Sequence, residues 1–320
     1  MKEIKQKIKW LFITGVLLLG ATEISARYVL GLGDPPLYEA SPIYGYRAKP
    51  NQDVRRFGNR IFYNAQGLRS EPIATLPKPG TIRVLCIGDS ITFGGVQVDQ
   101  AQTYPYQLQT ILNQNATNFE VINASAGGWA IENQEAYLRH QGIYHSQIVV
   151  LELGSHDLFQ PKIGSELVGN SVNFPNRKPI LALEEGFFRY LLPKVAVNLP
   201  FFQEPNLQAN PTKKDLERNL GSFLRIASYV KSQQAQLIVI LIEQPEEFEP
   251  QSTLANYSKK LLAQKTRELN IPYKNLREDF RLAGGSKLFR DGIHPNPQGN
   301  KVMAIATAQL IQTHNKQNQK

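Results

Sequence analysis

The sequence predicts an α/β protein: a three-layer α/β/α sandwich around a five-stranded parallel sheet, flavodoxin-like in its winding. Two observations carry this. From residue 81 onward, five short apolar runs alternate with segments of helical spacing. Each run is also apolar at nearly every position, as strands covered on both faces are, rather than apolar at every second one. The first strand is expected over 82–87, and a helix over 104–113 in which Leu108, Ile111 and Leu112 share a face. A strand over 119–122, a helix over 131–142 and a strongly apolar strand over 148–153 follow. After a Pro-, Asn- and aromatic-rich stretch at 158–212 come a long helix over 213–233, a strand over 237–242 and a helix over 252–269. A short strand over 271–275 and a closing helix over 297–313 complete the alternation. No internal repeat is visible, and sites in such sheets lie beyond the carboxyl ends of the strands.

The N-terminus reads differently. Lys2, Lys5, Lys7 and Lys9 precede an apolar run over 10–22, the layout of a signal peptide or signal anchor. The run is short for a bilayer span but extends to Leu32 if Glu23 and Arg27, four apart, pair on one helix face and snorkel to the interface. Small residues are badly placed for cleavage, which favours an uncleaved anchor over a secreted, cleaved form. The lysines predict the N-terminus inside, so a single-pass protein would carry its main domain on the extracytoplasmic side. The chain thus divides into a signal anchor or transmembrane helix over 1–33, an irregular pre-domain with short strands over 34–80 that packs on the main domain, and the main domain over 81–320 with its insertion at about 158–212.

Composition narrows the chemistry. Lys and Arg number 36 against 27 Asp and Glu, a net +9, but the excess is dispersed and does not form the basic face of a nucleic-acid binder. The single cysteine, Cys86, lies inside a predicted strand as a small core residue, and five histidines make a dedicated metal centre improbable. Neither a metal nor an organic cofactor is expected. Oligomeric state is not legible.

Four segments fall at predicted strand ends. Gly88-Asp89-Ser90 follows the first strand, where a serine at a helix start meets backbone N–H groups suited to an oxyanion. Taken alone, Asp89 or Ser90 is equally a helix cap. Asp291-Gly292-Ile293-His294-Pro295 precedes the closing helix. A serine hydroxyl needs a base and the base needs an orienting group, and an aspartate three residues before a histidine across a tight turn supplies both. Asn123-Ala124-Ser125-Ala126-Gly127-Gly128 and Gly154-Ser155-His156-Asp157 end the second and third strands.

With these four blocks in this order, the chain resembles the SGNH hydrolases, the GDSL esterase/lipase family, over roughly residues 81–313. The segment Asn64-Ala65-Gln66-Gly67-Leu68-Arg69 is similar to one preceding the catalytic domain in membrane-anchored bacterial members. The resemblance implies Ser90 as nucleophile, His294 as base and Asp291 as its orienting acid. It also implies an oxyanion hole from the Ser90 and Gly128 N–H groups with a third-block side chain, here His156 where the family carries asparagine. Asp89 and Asp157 read as structural. The insertion's aromatics (Phe159, Phe174, Phe187, Phe188, Tyr190, Phe201, Phe202) read as a lid near Ser90 or as a small core of their own.

The expected function is that of an exported serine esterase removing a small acyl group, such as acetyl, from a carbohydrate. Its substrate is an acylated small molecule or polysaccharide, with the membrane engaged through the N-terminal helix and no nucleic acid. An O-acetyltransferase acting on an envelope or extracellular polysaccharide, and a binding module weakened at His156, are the alternatives.

Overall fold

The computed structural model describes residues 2–115, 118–195, 211–248 and 253–318. It opens with a 29-residue helix, α1 (Lys2–Leu30). Two antiparallel hairpins follow, β1 (Tyr38–Ser41) with β2 (Gly45–Ala48) and β3 (Gln52–Arg56) with β4 (Asn59–Tyr63). The second turns through Phe57 and Gly58, whose φ angles of +52° and +83° are those of a two-residue hairpin turn.

Next come β5 (Ile82–Ile87), the single-turn α2 (Ser90–Phe93), α3 (Tyr104–Leu112), β6 (Phe119–Asn123), α4 (Ile131–Gln141) and β7 (Ile148–Gly154). The insertion contributes α5 (Ala182–Glu185), a π-helical turn over Gly186–Leu191, and α6 (Leu192–Val195). The chain closes with α7 (Lys213–Ser232), β8 (Gln236–Ile242), α8 (Thr253–Glu268), β9 (Tyr273–Asn275), α9 (Arg277–Ala283) and α10 (Pro297–Asn318).

Strands β5 to β9 form one parallel sheet in the order β6-β5-β7-β8-β9. The near-continuous apolar strands have the predicted cause, since the sheet is buried on both faces. Leu85 and Ile87 of β5 join a core with Leu138 of α4 and Leu220, Phe223 and Ile226 of α7. Val84 and Cys86 join the opposite core with Leu108 of α3 and Met303 and Ile311 of α10. Cys86 is fully buried, and burial pushes its thiol up to about 12, a poor nucleophile.

The 34–80 segment packs on the first of these cores, to which it contributes Tyr46, Ile61, Tyr63 and Leu68. Predicted boundaries moved by a residue or two at most ends. The largest change is at α10, which runs on to Asn318; β9 starts late, at Tyr273, because Pro272 has no N–H for a ladder and the Ile271 N–H closes the preceding helix on Thr266 at 2.8 Å.

At the insertion, the expected snorkelling pair has another use. Glu23 and Arg27 do pair, at 2.6 Å, but they face protein. Glu23 also accepts the N–H of Ala182 and Leu183 at 2.8 and 2.9 Å, and Arg27 donates to the Ile180 carbonyl at 2.6 Å. Of the insertion's aromatics, Phe159 and Phe174 pack against the sheet core and Tyr190 against the small cluster of Ala26, Leu32 and Ala182. Phe187 and Phe188 are exposed. Phe201 and Phe202 lie outside the described residues.

Candidate active site

Strand β5 runs into Gly88, and the chain turns at once into α2. Only glycine fits this corner, because a Cβ there would stand 2.5 Å from both Glu152 Oε2 and Thr92 Oγ1. Asp89 is the helix cap: its Oδ1 accepts the Ile91 N–H at 2.7 Å. That leaves Ser90 uncommitted, at the first helical position with its amide at the positive end of the turn. Capping and chemistry are therefore divided between adjacent residues.

The structure brings Ser90, His294 and Asp291 together. His294 Nε2 lies 2.9 Å from Ser90 Oγ, and its Nδ1 lies 2.9 and 3.0 Å from Asp291 Oδ2 and Oδ1. The turn is locked from within, since Asp291 Oδ1 also accepts the N–H groups of Ile293 and His294 at 2.8 and 2.7 Å. Partial burial alone would raise the Asp291 carboxyl. The two N–H groups and the imidazole outweigh it and hold the acid below its ordinary range. A carboxylate beside Nδ1 favours the tautomer that is protonated there and leaves Nε2 as an acceptor facing Ser90 Oγ.

The glycine block meets Ser90 through Gly127, where a Cβ would be 3.8 Å from Ser90 Cβ, and whose carbonyl accepts the Tyr46 hydroxyl. Gly128 is next along the chain, with its carbonyl held by the Gln160 amide. A cleft of about 400 Å³ opens over Ser90, His294 and Asp291, with Gly127, Gln97 and Arg290 in its lining. That volume suits a small ligand. None of the insertion's described aromatics lines it, so of the two readings the lid finds no support among the described residues.

Beside Ser90 the third block builds a charged cluster. His156 Nε2 lies 2.9 Å from Asp89 Oδ2 and 3.6 Å from Asp157 Oδ1, and its Nδ1 lies 3.4 Å from the Gln244 amide nitrogen. Asp89 Oδ2 is in turn 3.5 Å from Ser90 Oγ. Two buried acids, Asp89 and Asp157, thus flank one imidazole, and a third, Glu152, neighbours both of them. Burial raises Glu152 well above its usual range and pushes Asp157 up to about 8, with Asp89 adding to both.

Burial would lower His156, but Asp157 and Asp89 prevail and carry it up to about 9. The imidazole is therefore cationic at neutral pH. Asp89, His156 and Asp157 offer ligand atoms within 4.8 Å of one another, so they are the residues here that could approach a cation. A metal there would require the neutral ring and would displace its proton.

Two further residues act on the site that sequence reasoning passed over. Arg69 is 2% exposed, and its guanidinium donates to the carbonyls of Phe93, Gly95 and Val98, each at 2.6 Å. It clamps the loop that leaves α2 and lines the cleft. Its signal was the Asn64–Arg69 segment, whose Asn64 Oδ1 accepts the Gln66 and Leu68 N–H groups and shapes the turn that delivers Arg69. Arg290 lines the cleft 3.6 Å from Asp291 and donates to the Gly94 carbonyl at 3.3 Å. No motif marked it.

The model of the GDSL-like lipase/acylhydrolase family matches residues 86–302. No curated protein matches the chain. Among solved structures, TesA has a TM-score of 0.47 at 17% identity, with 72% of this chain and 97% of that one covered. The acetyl xylan esterase AlAXEase has a TM-score of 0.45 at 16% identity, covering 73% and 99%. The lipase/acylhydrolase from Enterococcus faecalis has a TM-score of 0.45 at 16% identity, covering 73% and 96%.

Proposed function

The chain belongs to the GDSL-like lipase/acylhydrolase family and is a serine hydrolase of carboxylic esters; from that premise we propose that Ser90, His294 and Asp291 are its catalytic triad, acting through a covalent acyl-enzyme. The observation that carries this is the continuous line from Asp291 through both nitrogens of His294 to Ser90 Oγ, with 2.9 Å at each link. His294 Nε2 takes the hydroxyl proton as Ser90 Oγ attacks the ester carbonyl carbon. The tetrahedral oxyanion is held by the N–H groups of Ser90 and Gly128. His294 then returns the proton to the departing alcohol oxygen, leaving an acyl-serine. Water, deprotonated by the same nitrogen, releases the acid.

His156 is the third oxyanion donor in this reading. It takes the place of the family's asparagine, with Nε2 on Asp89 and Nδ1 toward the Gln244 amide, so donation to an oxyanion requires one of these contacts to be released. The small open cleft supports a short acyl group such as acetyl on a carbohydrate. Arg290 in its lining adds a cation suited to an anionic polysaccharide. α1 is long and apolar enough to cross a membrane, with a mean hydropathy of 1.5 over its best 18-residue window. It supports an anchored protein whose catalytic domain faces the extracytoplasmic side.

The test is the rate on p-nitrophenyl acetate of the full chain against Ser90→Ala, with fluorophosphonate labelling of Ser90. Equal rates for the two proteins, or unlabelled Ser90, would remove the triad. Mass analysis with polysaccharide acceptors present separates hydrolysis from transfer of the acyl group. Release of the full-length chain by alkaline carbonate would remove the anchor.

A further inference from the structure

Large apolar side chains of the insertion stand open beside the C-terminal end of α1. Ile180 is 86% exposed, Leu181 50%, Phe187 46%, Phe188 48% and Leu191 53%, and Tyr28 at the end of α1 is 85% exposed. The segment is not free to turn them inward. Glu23 holds the N–H groups of Ala182 and Leu183, Arg27 holds the Ile180 carbonyl, and Ala26 and Leu32 pack on Ala182. A second tie reaches the hairpins, where buried Glu185 pairs with Arg56 and accepts the Gly33 N–H at 2.7 Å.

Depth decides what covers them. From Lys9, the last lysine before the apolar run, to Glu23 is about 21 Å along the helix at 1.5 Å per residue. A hydrocarbon core is roughly 30 Å thick. With Lys9 at the inner face, Glu23 lies short of the outer one, and tilt lowers it further. The N–H groups of Ala182 and Leu183 sit on that carboxylate and so lie at the same depth. They also supply what a carboxylate needs there, since in lipid alone it would be without partners. The exposed side chains carried by this segment include two phenylalanines, and exposed Arg177, Lys178 and Lys194 flank it against one exposed acid within it, Glu184. Apolar and aromatic residues with flanking cations are the composition of an element lying in a membrane interface.

We propose that residues 180–191 form a lipid-embedded platform, docked on α1, that lies at the boundary of headgroups and acyl chains in the outer leaflet and holds the catalytic domain against the bilayer. The platform rests on the reading of α1 as a membrane span.

The experiment uses the full-length protein in phosphatidylcholine/phosphatidylglycerol vesicles, with an environment-sensitive fluorophore at Phe187→Cys or Phe188→Cys. Cys86 is fully buried and stays in place. Lys231→Cys on the exposed side of α7 is the water reference, and Leu18→Cys reports on the span. The platform predicts several-fold weaker iodide quenching at 187 and 188 than at 231, with strong quenching by lipids brominated near the headgroup. Iodide access equal to that at 231 overturns it. So does shielding from iodide without quenching by brominated lipid, which would mean a protein cover. A Leu18 probe open to iodide would remove the span itself and the platform with it, a result distinct from failure at 187 and 188 alone.

Discussion

Asp89 binds His156, Oδ2 to Nε2 at 2.9 Å, directly beside the nucleophile. The same carboxylate caps α2 through its other oxygen, so one side chain both starts the helix that presents Ser90 and orients the His156 ring. The departure at His156 is therefore built into the site and is not a loose substitution.

The proposed role of His156 as an oxyanion donor is measurable. His156→Ala is expected to lower kcat on p-nitrophenyl acetate by about 10²-fold, in the range for loss of one such donor. KM should change little, and His156→Asn should recover most of the loss. A threefold loss or less in the alanine variant would take His156 out of the oxyanion hole.

Stability should fall as pH rises above neutrality. The folded state raises His156 to about 9 from its ordinary 6.5, so its contribution is complete below about 6.5 and disappears as pH passes through 9. Asp157, raised to about 8, acts in the same direction, since deprotonating it favours the unfolded chain. Thermal unfolding across pH 6 to 10 should show Tm declining, with kcat falling on the same alkaline limb (ordinary for a donor lost above about 9). His156→Asn should remove the part of the Tm decline that lies between about 6.5 and 9 and the part of the kcat decline near 9; an unchanged profile would contradict the assignment.

Arg69 is expected to govern the cleft from a distance. Arg69→Met leaves the carbonyls of Phe93, Gly95 and Val98 without their donor, at about 1–3 kcal/mol for each buried group left unpaired. Tm should drop, and fluorophosphonate labelling of Ser90 should slow even at temperatures where the variant is folded. Labelling at the wild-type rate would limit Arg69 to stability.

The Arg56–Glu185 pair should behave as a buried ion pair. Glu185→Gln leaves Arg56 charged and buried, at about 3–5 kcal/mol, whereas replacing both by apolar residues should restore much of the loss. Denaturant unfolding of the two variants checks this. Equal loss in both would show that the Gly31 and Gly33 backbone contacts of the pair, and not its charge, hold the insertion.

Much of this molecule was legible in the chain. Strands β5, β7 and β8 were the most readable, because a parallel sheet buried on both faces leaves a nearly unbroken apolar run, whereas the edge strand β9 is only Tyr-Lys-Asn. Ser90, Asp291 and His294 were readable because a strand end and a three-residue turn are local geometries that short sequence specifies. The two hairpins of the 34–80 segment were harder. Phe57-Gly58 is not among the dipeptides that announce a two-residue turn, and its strands are only four or five residues long.

Side chains whose partners are remote lay beyond such reading. Glu23 and Arg27 look like a self-sufficient helical pair, and only the fold brings Ile180–Leu183 to them from more than 150 residues away. Arg69 and Arg290 carry no local sign that their guanidinium groups reach the loop after α2. By itself, the sequence determined the alternation of elements, the candidate triad and the apolar helix, because these depend on periodicity and on residues close in the chain. The tertiary structure alone decided what each charged side chain faces: His156 on Asp89, Arg69 on three carbonyls, Glu23 and Arg27 of α1 on the insertion. Such contacts arise from chain segments meeting across the fold, and they depend on burial and distance, which a linear pattern does not encode.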